Sequence, residues 1–184
     1  MPDPHAAPGQ LETLRQFLNT ASFESDSEDL AALGAAVAWF RESGLPYKDL
    51  DEAGLRRLRR LREAFRVVFL AHNHRGDPAA AERELAGFLS AVRLRLEWDA
   101  LAGRPLLAPD ESAPGATESA LFAIMYDSMA QGTWPRMKAC RKANCCRAFY
   151  DRSKNGSGAW CSMAICGNRV KAQRRRARET KVGP

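Results

Sequence analysis

Apolar side chains recur at helical spacing along most of this chain. Leu11, Leu14, Phe17 and Leu18 predict a helix ending near Asn19, and Leu30, Leu33, Val37 and Phe40 predict a second, from Ser27, stopped by Gly44 and Pro46. Asp51 opens a long helix to about Asn73, with Leu55, Leu58, Leu61, Phe65, Val68 and Phe69 inward and the arginines outward. Asp77-Pro78 begins another helix, carrying Leu85, Phe88 and Leu89. The period then shortens to two. Val92, Leu94, Leu96 and Trp98 alternate with Arg93, Arg95 and Glu97, which predicts a half-buried strand, and a turn at Gly103 returns Pro105 to Ala108 as its antiparallel partner. After a polar loop from Pro109 to Gly115, Thr117 to Ala130 is helical again, with Leu121, Ile124, Met125 and Met129 inward. Trp39, Trp98, Met125 and Met129 are assigned to the core.

Gly132, Trp134 and Pro135 mark a boundary. The pattern divides the chain into a disordered lead (1–9), a mainly α domain with a small antiparallel β-hairpin (10–131), a C-terminal module (134–179) and a tail (180–184). With 45% hydrophobic residues in 184, the larger part is expected to close a core of its own. No apolar run approaches the roughly 20 residues of a membrane span, and the first residues lack the features of a signal peptide, so a cytoplasmic protein without a membrane partner is expected.

Charge separates the two parts. From Gln131 onward, fourteen Lys or Arg face only Asp151 and Glu179, whereas residues 1–130 carry fourteen basic and twenty acidic side chains. A basic segment of this density attracts polyanions.

All five cysteines lie in the basic part. Cys140-x4-Cys145 and Cys161-x4-Cys166, with fifteen residues between the pairs, supply the four thiolates of a tetrahedral zinc site. Four thiolates and no histidine leave no open coordination position, so a single Zn²⁺ is expected to be structural. Cys146 is adjacent to Cys145, and spacing alone leaves open which of the two is the ligand. Abundant Ala, Arg and Lys after Cys161 predict a helix to about Glu179. Its side chains Arg169, Lys171, Arg174, Arg175, Arg176 and Arg178 meet only Glu179 in opposition, and nucleic acid phosphate would relieve that repulsion. Asn168 and Arg169 are candidates to reach base edges.

The run Lys138-Ala139-Cys140 to Cys145, then Phe149-Tyr150-Asp151, then Trp160-Cys161-Ser162-Met163-Ala164-Ile165-Cys166-Gly167-Asn168-Arg169 resembles the CGNR-type zinc finger of ABATE-domain proteins, bacterial regulators described as putative stress-induced transcription regulators. Gln16-Phe17-Leu18-Asn19-Thr20 stands where that family's N-terminal domain often opens with an Asp-Phe-Val-Asn-Thr-like run. The resemblance selects Cys145 over Cys146 as ligand and leaves Cys146 a spare thiol. It implies transcription regulation through DNA, associated with the nucleoid, and an N-terminal domain that senses a small molecule.

Two rivals share these signals. RNA or a ribosome would suit an arginine-rich finger whose Phe149, Tyr150 and Trp160 could stack on bases, and an acidic protein could dock on the basic tail. An enzyme is not expected, because no Ser-His-Asp set, phosphate loop or close carboxylate pair stands out. His72 and His74 read as residues at a helix end. Asn19 and Thr20 read as the cap of the turn after the first helix.

Overall fold

The computed structural model describes residues 3, 5–48, 50–101 and 103–179; residues 1, 2 and 4 of the expected lead and the whole expected tail (180–184) lie outside the described residues. In chain order the elements are α1 (Leu11–Leu18), β1 (Ala21–Ser22), β2 (Ser27–Glu28), α2 (Leu33–Ser43), α3 (Glu52–His72), α4 (Pro78–Ala86), β3 (Leu94–Asp99), β4 (Arg104–Pro109), α5 (Ala116–Ala130), β5 (Met137–Ala139), β6 (Ala148–Tyr150) and α6 (Asn168–Glu179). The fold is mainly α. Among the described residues the strands form three separate antiparallel hairpins, β1–β2, β3–β4 and β5–β6.

Local chemistry sets three of the helix boundaries. Asp51 accepts the Gly54 N–H at 2.7 Å and caps α3, and Asp77 accepts the Ala79 N–H at 3.0 Å above Pro78 at the start of α4. Gly44, at φ +71°, ends α2 in the left-handed conformation that glycine adopts without strain.

The second helix begins later than its apolar pattern predicts. Leu30 is buried, yet residues 27–28 pair with 21–22 as a small hairpin and α2 starts only at Leu33. Arg59 of α3 accounts for the delay. Its guanidinium donates to the carbonyls of Leu30 and Ala31 (2.8 Å from Nε to Leu30), which a helix from Ser27 would have used internally.

Helix α3 is the central element. Phe65 and Phe69 are fully buried and pack on Trp134 at ring distances of 6.1 and 5.1 Å, and Leu55, Leu58 and Leu61 line the same core. Two of its arginines point inward rather than outward. Arg62 meets the Glu28 carboxylate with both terminal nitrogens, at 2.7 and 2.6 Å, and donates to the Thr20 hydroxyl at 2.9 Å. One turn on, Arg66 donates to the carbonyls of Leu18 and Cys146. Their partners make burial of these charges tolerable.

Trp39 is half-buried against Phe17 and Phe40, and Met125 is half-buried on the core. The other two expected core residues are not buried. Trp98 is 67% exposed and Met129 52%. The hairpin β3–β4 is present, but α5 covers it on the side where Arg104 of β4 pairs with Asp127 at 2.7 Å, and β3 extends beyond that cover.

One continuous core crosses the boundary near residue 132, taking in Met137, Ala139, Ala148 and Tyr150 together with Phe65, Phe69 and Leu121. Residues 5–7 of the expected lead join the two parts as well: Ala7 is buried, and the His5 carbonyl accepts the Tyr150 N–H at 3.2 Å.

Candidate metal centre

The pair β5–β6 sets the base of the site. Met137, Lys138 and Ala139 stand opposite Tyr150, Phe149 and Ala148, and the ladder continues through the Cys140 N–H to the Arg147 carbonyl at 3.0 Å. Between the strands the chain turns tightly. The Cys145 N–H donates to the Lys142 carbonyl at 3.0 Å, and Cys146 takes φ +48°. The second pair of cysteines stands on a different frame. Ser162 caps a π-type turn over Met163–Gly167 by accepting the Ile165 N–H at 3.2 Å, and the Gly167 N–H reaches five residues back to the Ser162 carbonyl. Helix α6 therefore begins at Asn168, not at Cys161 as the composition suggests. A Cβ at 167 would run into the Met163 sulfur and approach the Trp160 ring, which favours glycine between Cys166 and Asn168.

These turns bring the sulfurs of Cys140, Cys145, Cys161 and Cys166 within 4.8 Å of one another. Cys145–Cys161 is 3.5 Å, while Cys161–Cys166 and Cys145–Cys166 are 3.7 Å. Four thiolates at about 2.3 Å from a tetrahedral Zn²⁺ stand ~3.8 Å apart, so the arrangement fits one zinc ion. Three of the four cysteines are buried, and Trp160 packs against the cluster. Cys146 points away, its thiol donating to the Ala143 carbonyl at 3.4 Å, which resolves the ambiguity left by spacing.

The clustered thiols perturb one another. Hydrogen bonds with Cys145 and Cys161 outweigh burial and lower the Cys140 pKa. Cys166 is pushed up to about 12, by burial first and then by the charge on Cys140, and Cys161 is raised through its hydrogen bonds to Cys140 and Cys145. Four adjacent thiolates require a dication to coexist.

A second buried group braces the module. Lys138 Nζ lies 2.8 Å from Asp151 Oδ2, with both side chains almost fully buried, and it also donates to the carbonyls of Gly156 and Gly158. Asp151 accepts the N–H groups of Ser153 at 2.9 Å and Gly158 at 2.8 Å. A Cβ at 158 would stand 2.6 Å from the carboxylate, so the loop closes only on glycine.

The residues that seat the module on α1 and α3 escape periodicity. Asn19 ends α1 through its backbone N–H, which donates to the Gln16 carbonyl at 2.9 Å, but its side chain turns away from that helix. Its amide accepts the Ala148 N–H at 2.8 Å and donates to the Ala148 carbonyl at 3.0 Å, as a neighbouring strand would, while Thr20 makes the expected cap to the Phe17 carbonyl. Asn73, just past α3, donates to the carbonyls of Ala139 at 2.8 Å and Ala159 at 3.0 Å, and its own carbonyl accepts from Arg141. His72 does lie at the helix end, with burial lowering its pKa and Nδ1 placed 2.9 Å from the Met137 carbonyl; His74 follows at φ +55°. Polar amides at helix ends, such as Asn19, are the only signal the sequence offers for this seating, and the partners of Asn19 lie over a hundred residues away.

Residues 136–179 match the CGNR zinc finger, and residues 13–131 match the family described as "putative stress-induced transcription regulator", named ABATE. The chain belongs to the ABATE family. No curated protein matches the chain significantly. Within this ABATE protein the CGNR tetrapeptide is Cys166-Gly167-Asn168-Arg169: the last ligand, the glycine beside Met163, and the first two residues of α6.

The side chains expected to meet nucleic acid, Asn168, Arg169, Lys171, Arg174, Arg175, Arg176 and Arg178, all lie on α6, which buries none of its residues. Arg169 pairs with Glu24 in the β1–β2 turn, and the same carboxylate holds Lys142 at 2.8 Å. Lys171, Arg174, Arg175 and Arg178 border a groove floored by Trp160 and Val170.

Proposed function

We propose that the protein regulates transcription in the cytoplasm by binding duplex DNA through α6, with the zinc serving to anchor that helix. The observation that carries this reading is a twelve-residue helix that contributes nothing to the core, begins two residues past a zinc ligand and carries six basic side chains. An exposed helix without an apolar face has no packing reason to persist, and phosphate is the natural partner of arginines so placed. Asn168 and Arg169, nearest the zinc, are the proposed readers of base edges; Lys171 and the later arginines engage phosphate. Two of the aromatics that would favour RNA stacking, Phe149 and Tyr150, are buried, which supports duplex DNA over RNA. No helix among the described residues is long and apolar enough to cross a membrane.

The stress response and small-molecule sensing belong to this proposal. A cleft of about 580 Å³ between β4, α5 and the start of α1 offers room for an effector.

Changing Arg174, Arg175 and Arg176 together to Ala should lower the magnitude of the slope of log affinity against log salt by roughly 0.9 for each phosphate no longer engaged, weakening all sequences alike. Arg169→Ala should chiefly reduce discrimination between sequences. An unchanged slope with zinc content intact would place the nucleic acid elsewhere, and preference for structured RNA or an acidic polypeptide in competition would replace DNA as the partner.

A further inference from the structure

The two outer edges of the β3–β4 hairpin are chemically different. Pro109 and Pro105 stand opposite Leu94 and Trp98, and neither proline has an N–H. The hydrogen-bonded pairs of the ladder are therefore Arg95–Ala108, Glu97–Leu106 and Asp99–Arg104, a phase that continues in the Asp110 N–H to Arg93 carbonyl bond at 3.0 Å. It follows that Leu94, Leu96 and Trp98 turn their N–H and C=O groups to the outer edge of β3. On the outer edge of β4 the corresponding residues are Pro105, Leu107 and Pro109, so two of three donors are missing. Proline is a common way to close an edge against pairing, and only β4 has it.

The open edge also carries exposed apolar side chains. Leu96 is 73% exposed and Trp98 67%, on the same face as Leu94. The opposite face of β3 alternates in charge, with Arg95 and Glu97 both exposed and paired to each other within the strand.

From these observations we infer that the protein forms a two-fold dimer in which β3 pairs antiparallel with β3 of a second copy, centred on Leu96. The strand Leu94-Arg95-Leu96-Glu97-Trp98 is complementary to itself in that register. Leu96 lies opposite Leu96 of the second copy, Leu94 opposite Trp98, and Arg95 opposite Glu97, twice over. Every outward N–H and C=O of the three apolar residues gains a partner, the apolar face doubles, and both charges find opposite neighbours. Any other antiparallel register breaks one of these matches. The result is a four-stranded sheet, β4–β3–β3–β4, bounded on both sides by the proline-bearing strands. The inference is independent of what α6 binds.

The test is the oligomeric state of the full-length, zinc-loaded chain by sedimentation. Wild type should dimerise within about 100 µM. Arg95→Glu and Glu97→Arg each set like charges opposite one another twice, and each should weaken the dimer by roughly tenfold or more. The decisive sample is an equimolar mixture of the two variants, in which every opposite pair is again of unlike charge; it should form a heterodimer at concentrations where each variant alone is monomeric. Leu96→Pro removes an outward N–H without touching the internal ladder, and should give a monomer with unchanged helicity and zinc content. A wild-type chain monomeric at about 100 µM, a dimer indifferent to both charge changes, or a mixture that stays monomeric would overturn the inference.

Discussion

Asp151 accepts from Lys138, Ser153 and Gly158 inside a module too small to have much apolar core of its own. Burial alone would raise its pKa; the Lys138 ammonium and the two N–H groups outweigh that and bring it down to about 2, from an ordinary 3.8. A carboxyl depressed on folding stabilises fully above its unfolded value and loses that contribution as pH falls through the folded one. The finger should therefore weaken between about pH 4 and pH 2 through this group, in addition to losing zinc as its thiolates protonate. Asp151→Ala leaves Lys138 charged and buried without its partner, and should cost about 3–5 kcal/mol in denaturant unfolding. At the ligands, Cys145→Ser should abolish zinc retention while Cys146→Ser leaves metal content unchanged, as measured on dialysed protein. The ligand set is legible in the sequence because its chemistry is carried by residue type and spacing. Lys138–Asp151 is not, since a single Lys and Asp thirteen residues apart look like any surface pair until the pairing of β5 with β6 brings Asp151, just past β6, diagonally across from Lys138.

At the scale of elements, periodicity locates helices wherever an apolar stripe has a cap at each end: α3 lies between Asp51 and Asn73, one residue inside each expected limit. It fails where a distant side chain competes for the backbone. Arg59 takes the carbonyls that would have extended α2 toward Ser27, and nothing near Leu30 announces this. Alternation in β3 correctly signals a strand but wrongly suggests burial, because a period of two shows which residues share a face and not whether anything covers it. The inward turn of Arg62 and Arg66 has the same origin: their partners, Glu28, Leu18 and Cys146, come from elements that meet only in three dimensions. Arg62→Met should unfold the chain more easily by about 3 kcal/mol in chemical denaturation, mainly because Glu28 and Thr20 lose their donor.

For the whole molecule, the packing crosses the sequence boundary. A fragment ending at Gln131 lacks Trp134, Met137, Ala139, Ala148 and Tyr150, which complete the core around Phe65 and Phe69. Chelation of zinc should accordingly lower the melting temperature of the entire chain in one transition, by more than about 10 °C, in place of a finger melt followed by an unaffected helical domain. Calorimetry with and without chelator separates the two outcomes. Asn73 makes this coupling run both ways. Its amide grips the carbonyls of Ala139 and Ala159, at the entrances to the two cysteine hooks, from the end of α3. Asn73→Ala should thus weaken zinc affinity by on the order of tenfold although no ligand is touched. By thermodynamic reciprocity, whatever strains or steadies α3 must change the hold on the metal by the same factor that the metal changes the hold on it. Zinc affinity in this protein is then a gauge of a helix it never touches.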